Sequence, residues 1–404
     1  QTGVIGKLSL KFTNFSMKNF LNPKTYKGII PQGEGQTLTL SGQTNGLYYQ
    51  AYSISFMDPW FGGRRPYTLS VSAYFSKQTD ISSNYYNNSM SNYYGGYPYY
   101  GNSMYGGYYG NYGGYYNNNY ELAYDPDKSI MMFGLSAGYG KRLNWPDDYF
   151  QFMATLNYQM YIMHDWAYFL VQNGTCHNVN LELMLQRNSI DNPLYTRSGS
   201  QFSMSVSATP PYSLWDGKDY ANMSDDNPDK FKFIEYHKWK FKAKIFSPLA
   251  PRAIKRTPVL MTRVEYGFLG SYNKHKRSPF ETFYMGGDGM SGYSSTYATE
   301  TIGLRGYENG SIAGNGGYNS YGYAYSRLAM ELRYPFLLEP SSTIYGLVFA
   351  EAGNAWRDLK SFNPFDLKRS AGVGVRIFLP MIGLMGIDWA YGFDKVDGAR
   401  SAGG

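Results

Sequence analysis

No stretch of the 404 residues approaches the roughly 18 consecutive apolar residues that a membrane-crossing helix requires. A chain that spans a bilayer without such a helix does so as a closed β-barrel, because lipid offers no partner to an unpaired backbone N–H or C=O. Cysteine is nearly lacking. Cys176 stands alone, which excludes an intrachain disulfide and a thiolate metal cluster. The four histidines, His164, His177, His237 and His275, show no His-x-x-x-His spacing, and no Gly-rich phosphate loop precedes a Lys-hydroxyl pair. No metal, no cofactor and no enzymatic activity are therefore expected. Gln1 opens no visible signal peptide, which fits a mature or trimmed chain. Charged residues are only 17% of the chain, and the lysines behind its +7 formal charge sit on strand faces and not in a basic helix or arm. A polar lumen accounts for them better than a nucleic-acid partner does.

What the chain has is tyrosine, glycine and alternation. There are 43 Tyr and 46 Gly, and aromatics make up 18%. In residues 236–246, Lys238, Lys240, Lys242 and Lys244 fall on one face of an extended strand and Trp239, Phe241, Ala243 and Ile245 on the other. Four ammonium groups need water while the opposite face is apolar along its length. A membrane barrel meets both demands; a basic edge strand on a soluble sandwich is the alternative for this segment alone. The recurrence elsewhere favours the barrel. Tyr67, Leu69, Val71, Ala73 and Phe75 alternate with Thr68, Ser70, Ser72 and Tyr74, and Val179, Leu181, Leu183 and Leu185 with Asn180, Glu182, Met184 and Gln186. Near the end, Val373, Val375 and Ile377 oppose Gly372, Gly374 and Arg376, while Met385, Ile387, Trp389, Tyr391 and Phe393 oppose Gly386, Asp388, Ala390 and Gly392. Trp and Tyr near strand ends suit the aromatic girdles of a bilayer interface.

The expected fold is all-β, a transmembrane antiparallel β-barrel occupying 1–404. Fourteen strands are expected at about 3–15, 35–45, 47–57, 66–79, 130–142, 149–164, 178–189, 200–209, 231–246, 258–270, 322–336, 342–356, 369–379 and 384–394. Short turns such as Asn144-Trp145-Pro146-Asp147 alternate with long connections at 80–129, 210–230 and 271–321, as between the two sides of an outer membrane. The 16–34 connection is long on the side where turns should be short. Within 80–129, the segment 84–120 holds 14 Tyr, 9 Asn and 8 Gly with no charged residue. It cannot bury a core of its own and reads equally as a tyrosine-rich extracellular cap or partner surface and as a mobile insertion.

The most specific pattern lies in the last third: Phe283-Tyr284-Met285-Gly286-Gly287, Leu304-Arg305-Gly306-Tyr307, then Leu328 to Phe336, Val348 to Trp356, Ser370 to Arg376 and Gly386 to Tyr391. In order and spacing this set resembles the barrel of the BamA superfamily of outer-membrane assembly factors and two-partner secretion transporters. Leu304-Arg305-Gly306-Tyr307 is similar to the Val-Arg-Gly-Phe/Tyr tip of the sixth extracellular loop, here 271–321, which in that family folds back into the lumen; Leu replaces Val. An arginine carried into a barrel interior needs carboxylates. Glu351 and Glu331 lie on the polar phase of their strands, opposite Ala350/Ala352 and Met330/Leu332, and match the family's acidic positions. The expected pairing is Arg305 with Glu351 first and Glu331 second, with Asp388 a further lumenal partner. Gly306 would let the tip turn tightly.

The resemblance implies more. Ser189 to Gly199 resembles a periplasmic turn between the family's eighth and ninth strands. The family barrel has sixteen strands, and the fourteen here fit its second to fifteenth, with the POTRA domains absent. It implies a protein of the cell outer membrane that folds client barrels into the bilayer through a lateral seam, without nucleotide hydrolysis. Implied partners are nascent β-barrel clients, accessory assembly lipoproteins or surface proteins, and lipid. A two-partner secretion pore is the alternative within the family; a plain porin or nutrient transporter needs neither the loop tip nor its carboxylate partners, and an adhesion role would rest on the Tyr tract alone.

Overall fold

The computed structural model describes residues 6–396 apart from 21, 27, 29, 45–48, 64–66, 82–123, 167–170, 226, 252–253, 255, 288–299, 309, 313–321, 340 and 381–382. The Tyr/Asn/Gly tract at 84–120 thus lies outside the described residues. The strands are β1 (Gly6–Phe15), β2 (Gln36–Thr44), β3 (Tyr49–Asp58), β4 (Tyr67–Ile81), β5 (Tyr124–Arg142), β6 (Phe150–His164), β7 (Gly174–Asn188), β8 (Gly199–Ala208), β9 (His237–Pro248), β10 (Val259–Gly270), β11 (Phe283–Met285), β12 (Glu300–Ile302), β13 (Ala324–Glu339), β14 (Ser342–Trp356), β15 (Lys368–Leu379) and β16 (Gly383–Gly392). All but β11 and β12 form one 14-stranded sheet in which every strand pairs antiparallel with its neighbours in chain order, β13 following β10. The all-β antiparallel architecture expected from alternation is the one observed. Among the described residues no helix is long and apolar enough to cross a membrane.

The alternation has a consistent sense. On β9 the rings of Trp239 and Phe241 and the Ile245 chain are exposed, while Lys238 on the other face is 4% exposed. On β16, Ile387 and Trp389 are 79% and 68% exposed. The large aliphatic and aromatic side chains therefore face outward along the sheet, and charge, hydroxyls and the packed clusters face inward. A water-soluble sheet would reverse this, since burial of apolar area is what stabilises it. An outward apolar belt suits a lipid solvent.

Two clusters fill the inner face. The larger joins Met163 and Trp166 near the end of β6, Phe231, Ile234 and Tyr236 before β9, and Phe283, Met285, Ile302 and Leu304 of the connection between β10 and β13. The smaller surrounds Tyr195 in the β7–β8 turn with Phe246, Val259, Met261, Tyr345 and Phe349.

Two strand limits differ from the sequence reading by six residues, more than any other. β9 starts at His237 and not at 231, because apolar residues at 231, 233, 234 and 236 break the two-residue period between Phe233 and Ile234. Residues 231–236 instead close over β7, with the Ile234 N–H donating to the His177 carbonyl at 2.8 Å and the His177 N–H to that of Lys232 at 2.7 Å. β5 begins at Tyr124, and a register shift between Thr79 and Asp80 lets its early residues pair with β4. The parallel ribbon of β11 and β12 was not expected at all; three residues each are too few to show a period.

Candidate functional site: two ionic anchors of the 271–321 connection

β11 and β12 run side by side, Phe283 opposite Glu300 and Met285 opposite Ile302. The Phe283 N–H donates to the Gly322 carbonyl at 2.9 Å and the Gly322 N–H returns the bond at 2.7 Å, so the ribbon is tied to the root of β13. This places residues 300–307 against the inner face. Leu304 is fully buried and bridges to Gly287.

Arg305 next to it meets three carboxylates from three strands. Its Nε and Nη2 donate to Glu351 Oε1 at 3.1 and 2.8 Å, and its backbone N–H donates to Glu351 Oε2 at 2.9 Å. Nη2 also reaches Glu331 Oε1 at 2.6 Å, and Nη1 reaches Asp388 Oδ2 at 3.1 Å. The guanidinium lies 3.5 Å above the centre of the Phe349 ring. A planar fork with five donors can serve several acceptors while stacking its face.

Each carboxylate has a second cation. Arg333 pairs with Glu331 at 2.6 Å, Arg327 with Glu351 at 3.0 Å and Arg376 with Asp388 at 2.6 Å. Glu351 is 3% exposed and Glu331 4%, so these acids remain charged only because cations surround them. Burial works against the Arg305 cation, but Glu351 and Glu331 more than offset it and hold its pKa above the ordinary arginine value.

Two glycines of β15 make room. A Cβ on Gly372 would stand 2.5 Å from the Phe349 ring, and one on Gly374 would collide with the Asp388 carboxylate. Gly306 has φ +92°, and a Cβ there would meet the backbone of Tyr391 and Gly392 at 2.9 Å. The tip therefore turns in a conformation that L side chains rarely adopt, against β16. Tyr307 completes the tip, donating its hydroxyl to the Arg369 carbonyl at 2.7 Å and accepting the Asp394 N–H at 3.3 Å.

The second anchor was not singled out in the sequence. Glu300 pairs with Lys238 at 3.0 Å, Lys240 at 3.1 Å and Lys242 at 3.0 Å, and Lys238 also pairs with Glu281 at 3.1 Å. Three of the four lysines read as needing water thus meet carboxylates of the connection. Burial alone would raise the Glu300 carboxyl; Lys238, Lys240 and Lys242 outweigh it and hold the group well below the usual carboxylate range. A signal existed, since Glu281 and Glu300 lie in a long connection of a chain with an unbalanced lysine row, but nothing in the spacing says that they face it.

At the opposite end the Ser189 to Gly199 turn folds inward. The Tyr195 hydroxyl donates to the Thr257 carbonyl at 2.9 Å, and its ring packs edge-on against Tyr345 at 5.2 Å. Arg333 lies over Tyr345 at 5.9 Å, so packed side chains run from this turn to the Glu331 that Arg305 grips.

Solved structures share this architecture. BamA from Haemophilus ducreyi lacking POTRA domains 1–3 is similar at a TM-score of 0.57 and 16% identity, over 98% of this chain and 68% of that one. CdiB from Escherichia coli gives a TM-score of 0.52 and 10% identity, over 96% of this chain and 56% of that one. At such identities the likeness concerns the fold. No curated protein sequence matches the chain. The family model described as the Omp85 superfamily domain matches residues 32–403. Nearly the whole chain is covered, and the protein belongs to the Omp85 superfamily of outer-membrane β-barrels that insert or translocate proteins.

Proposed function

We propose that the protein is a BamA-like insertase, which folds client β-barrels into the outer membrane at the edge of its own sheet and needs no nucleotide hydrolysis. The observation that carries this reading is the packing of the 271–321 connection. Phe283, Met285, Ile302 and Leu304 are at most 3% exposed on the inner face, and the ribbon is held by Glu300 on one side and Arg305 on the other. A client passing through the lumen would have to break both anchors. A client added at a strand edge would break neither.

The outer face of β16 is apolar, with Ile387 and Trp389 exposed. In this reading a seam in the full barrel opens an unpaired strand edge beyond β16, a template for a further strand, which supplies backbone partners while lipid supplies none. In this reading Arg305, Gly306 and Tyr307 stiffen β13 to β16 behind that edge. The partners are nascent barrel clients, accessory lipoproteins and the bilayer.

The second reading, a secretion pore, is favoured by the fold likeness to CdiB. Depletion of the full-length protein followed by quantitative proteomics of the outer membrane separates the two. Loss of many unrelated barrels together is the expected result. Loss of one secreted protein, with the other barrels at normal abundance, would replace the insertase by the pore.

A further inference from the structure

At the end of the sheet where the long connections gather, the 209–236 segment, the 271–282 segment and the ends of β13 and β14 enclose a cleft of about 760 Å³. It lies apart from both anchors, and none of its residues belongs to them. Its lining is strongly unbalanced in charge. Lys230, Lys274, Arg277 and Arg357 line it against one carboxylate, Asp225. That carboxylate is already used: Lys230, almost wholly buried, grips it at 2.6 Å and also donates to the Met223 carbonyl at 3.1 Å. Lys274, Arg277 and Arg357 have no carboxylate partner among the described residues. Like charges gathered at a cleft raise its potential and draw in a counter-ion.

Arg277 is held ready. Its guanidinium carbon lies over the Tyr323 ring, 3.9 Å from the ring centre, and its Nη2 donates to the Arg357 carbonyl at 2.9 Å. A guanidinium fixed by stacking keeps its remaining N–H groups available in a planar fork, which suits the oxygens of a phosphate. A cleft of this volume takes a small ligand, and cations without a carboxylate partner on its wall suit one that carries a phosphate.

We propose that this cleft binds a small phosphate-bearing ligand, its phosphate held by Arg277, Arg357 and Lys274. The same chemistry is offered by a free sugar phosphate and by the headgroup of a phosphoglycolipid at the membrane surface.

The test uses the full chain in detergent and in nanodiscs. Calorimetric titration in detergent with glucosamine 1-phosphate, and with inorganic phosphate as the simpler anion, is compared between the parent and the Lys274→Ala/Arg357→Ala variant. Both positions are exposed, and heat-modifiable gel mobility reports whether the barrel is intact. Saturable binding of the sugar phosphate, weakened at least tenfold in the variant and restored by Lys274→Arg/Arg357→Lys, is expected. If instead only a phosphoglycolipid in nanodiscs is enriched around the parent, and the variant loses that enrichment, the headgroup is the source and the site stands. Binding by neither probe, or equal binding by the variant, would overturn the proposal. Should the double variant lose its barrel mobility, Arg277→Gln, which keeps the size of the side chain and removes its charge, replaces it with the same expectations.

Discussion

At Arg305 one cation of the connection meets carboxylates on β13, β14 and β16, whereas at Glu300, five residues earlier, one carboxylate meets three lysines of a single strand. The first arrangement crosses the sheet and ties four strands together, because Phe349 over Gly372 brings in β15 as well. The second runs along β9 and fixes the connection without joining strands. Burial differs too. The Glu351 side chain is fully buried, while Lys242 in the other anchor is 37% exposed. Point charges on flexible stems beside water are screened and partly replaceable; a stacked guanidinium among buried acids is neither. The Arg305 anchor should therefore behave as one unit and the Glu300 anchor as several weaker contacts.

Removing Glu351 is the most severe way to break the difference. Glu351→Ala deletes the acceptor of three Arg305 hydrogen bonds and leaves Arg327 without its pair. Stranding a buried charge in this way costs about 3–5 kcal/mol, so loop 271–321 should become protease-sensitive and exchange amide hydrogens quickly. A mutant loop as protected as the parent's would remove the basis for calling this anchor dominant.

Glu300→Gln should cost less, about 2–3 kcal/mol, because Lys238 keeps Glu281. Its effect is also reachable without mutation. The Glu300 pKa is depressed on docking, so its contribution is complete above the ordinary glutamate value of about 4.3 and is lost as the pH falls through the lower, docked value. Loop protection factors, which take out the slowing of intrinsic amide exchange in acid, should fall in the parent as the pH drops below about 4.3 and lack that Glu300-linked fall in Glu300→Gln; identical profiles would show that the lysine row does not hold the loop.

Gly306→Ala tests the tip alone. A side chain at φ +92° beside the β16 backbone should cost about 1–2 kcal/mol, loosening 304–307 while the Glu300 contacts persist. Site-resolved exchange that loosened both anchors equally would merge them into one. The mildest change is Arg369→Ala. Its side chain is 68% exposed where it pairs with Asp394, and solvent screens such a pair so that it contributes little; a large fall in melting temperature would mean that the Tyr307 contact to the Arg369 backbone depends on that side chain.

The sequence showed the strands well because their signal is local. Trp239, Phe241 and Ile245 against four lysines, or Ile387, Trp389 and Tyr391 against Asp388, need only a two-residue period to assign their faces. It failed at 231–236, where two apolar residues in succession mark a chain that leaves the sheet, and at β11 and β12, which are shorter than any readable period. For the site, the polar phase of Glu331 and Glu351 was legible on their strands. Arg327, Arg333 and Arg376 were not, since a cation on an inner face has no preferred partner until neighbouring strands are in register. Phe349 was hidden by its type: an aromatic among Ala and Val reads as packing, and its use as a platform for Arg305 depends on Gly372 across the ladder.

By itself the sequence determined which face of each strand is apolar, that the interior is charged, and that an Arg-Gly-Tyr tip lies in a long connection, because all of these are properties of residues close together in the chain. The tertiary structure decided which charges meet. Glu300 lies 58 residues from Lys242, and Arg305 lies 83 from Asp388. Coulomb attraction between such groups acts over a few ångströms in space, and only the curled sheet with the connection folded onto its inner face brings them that close.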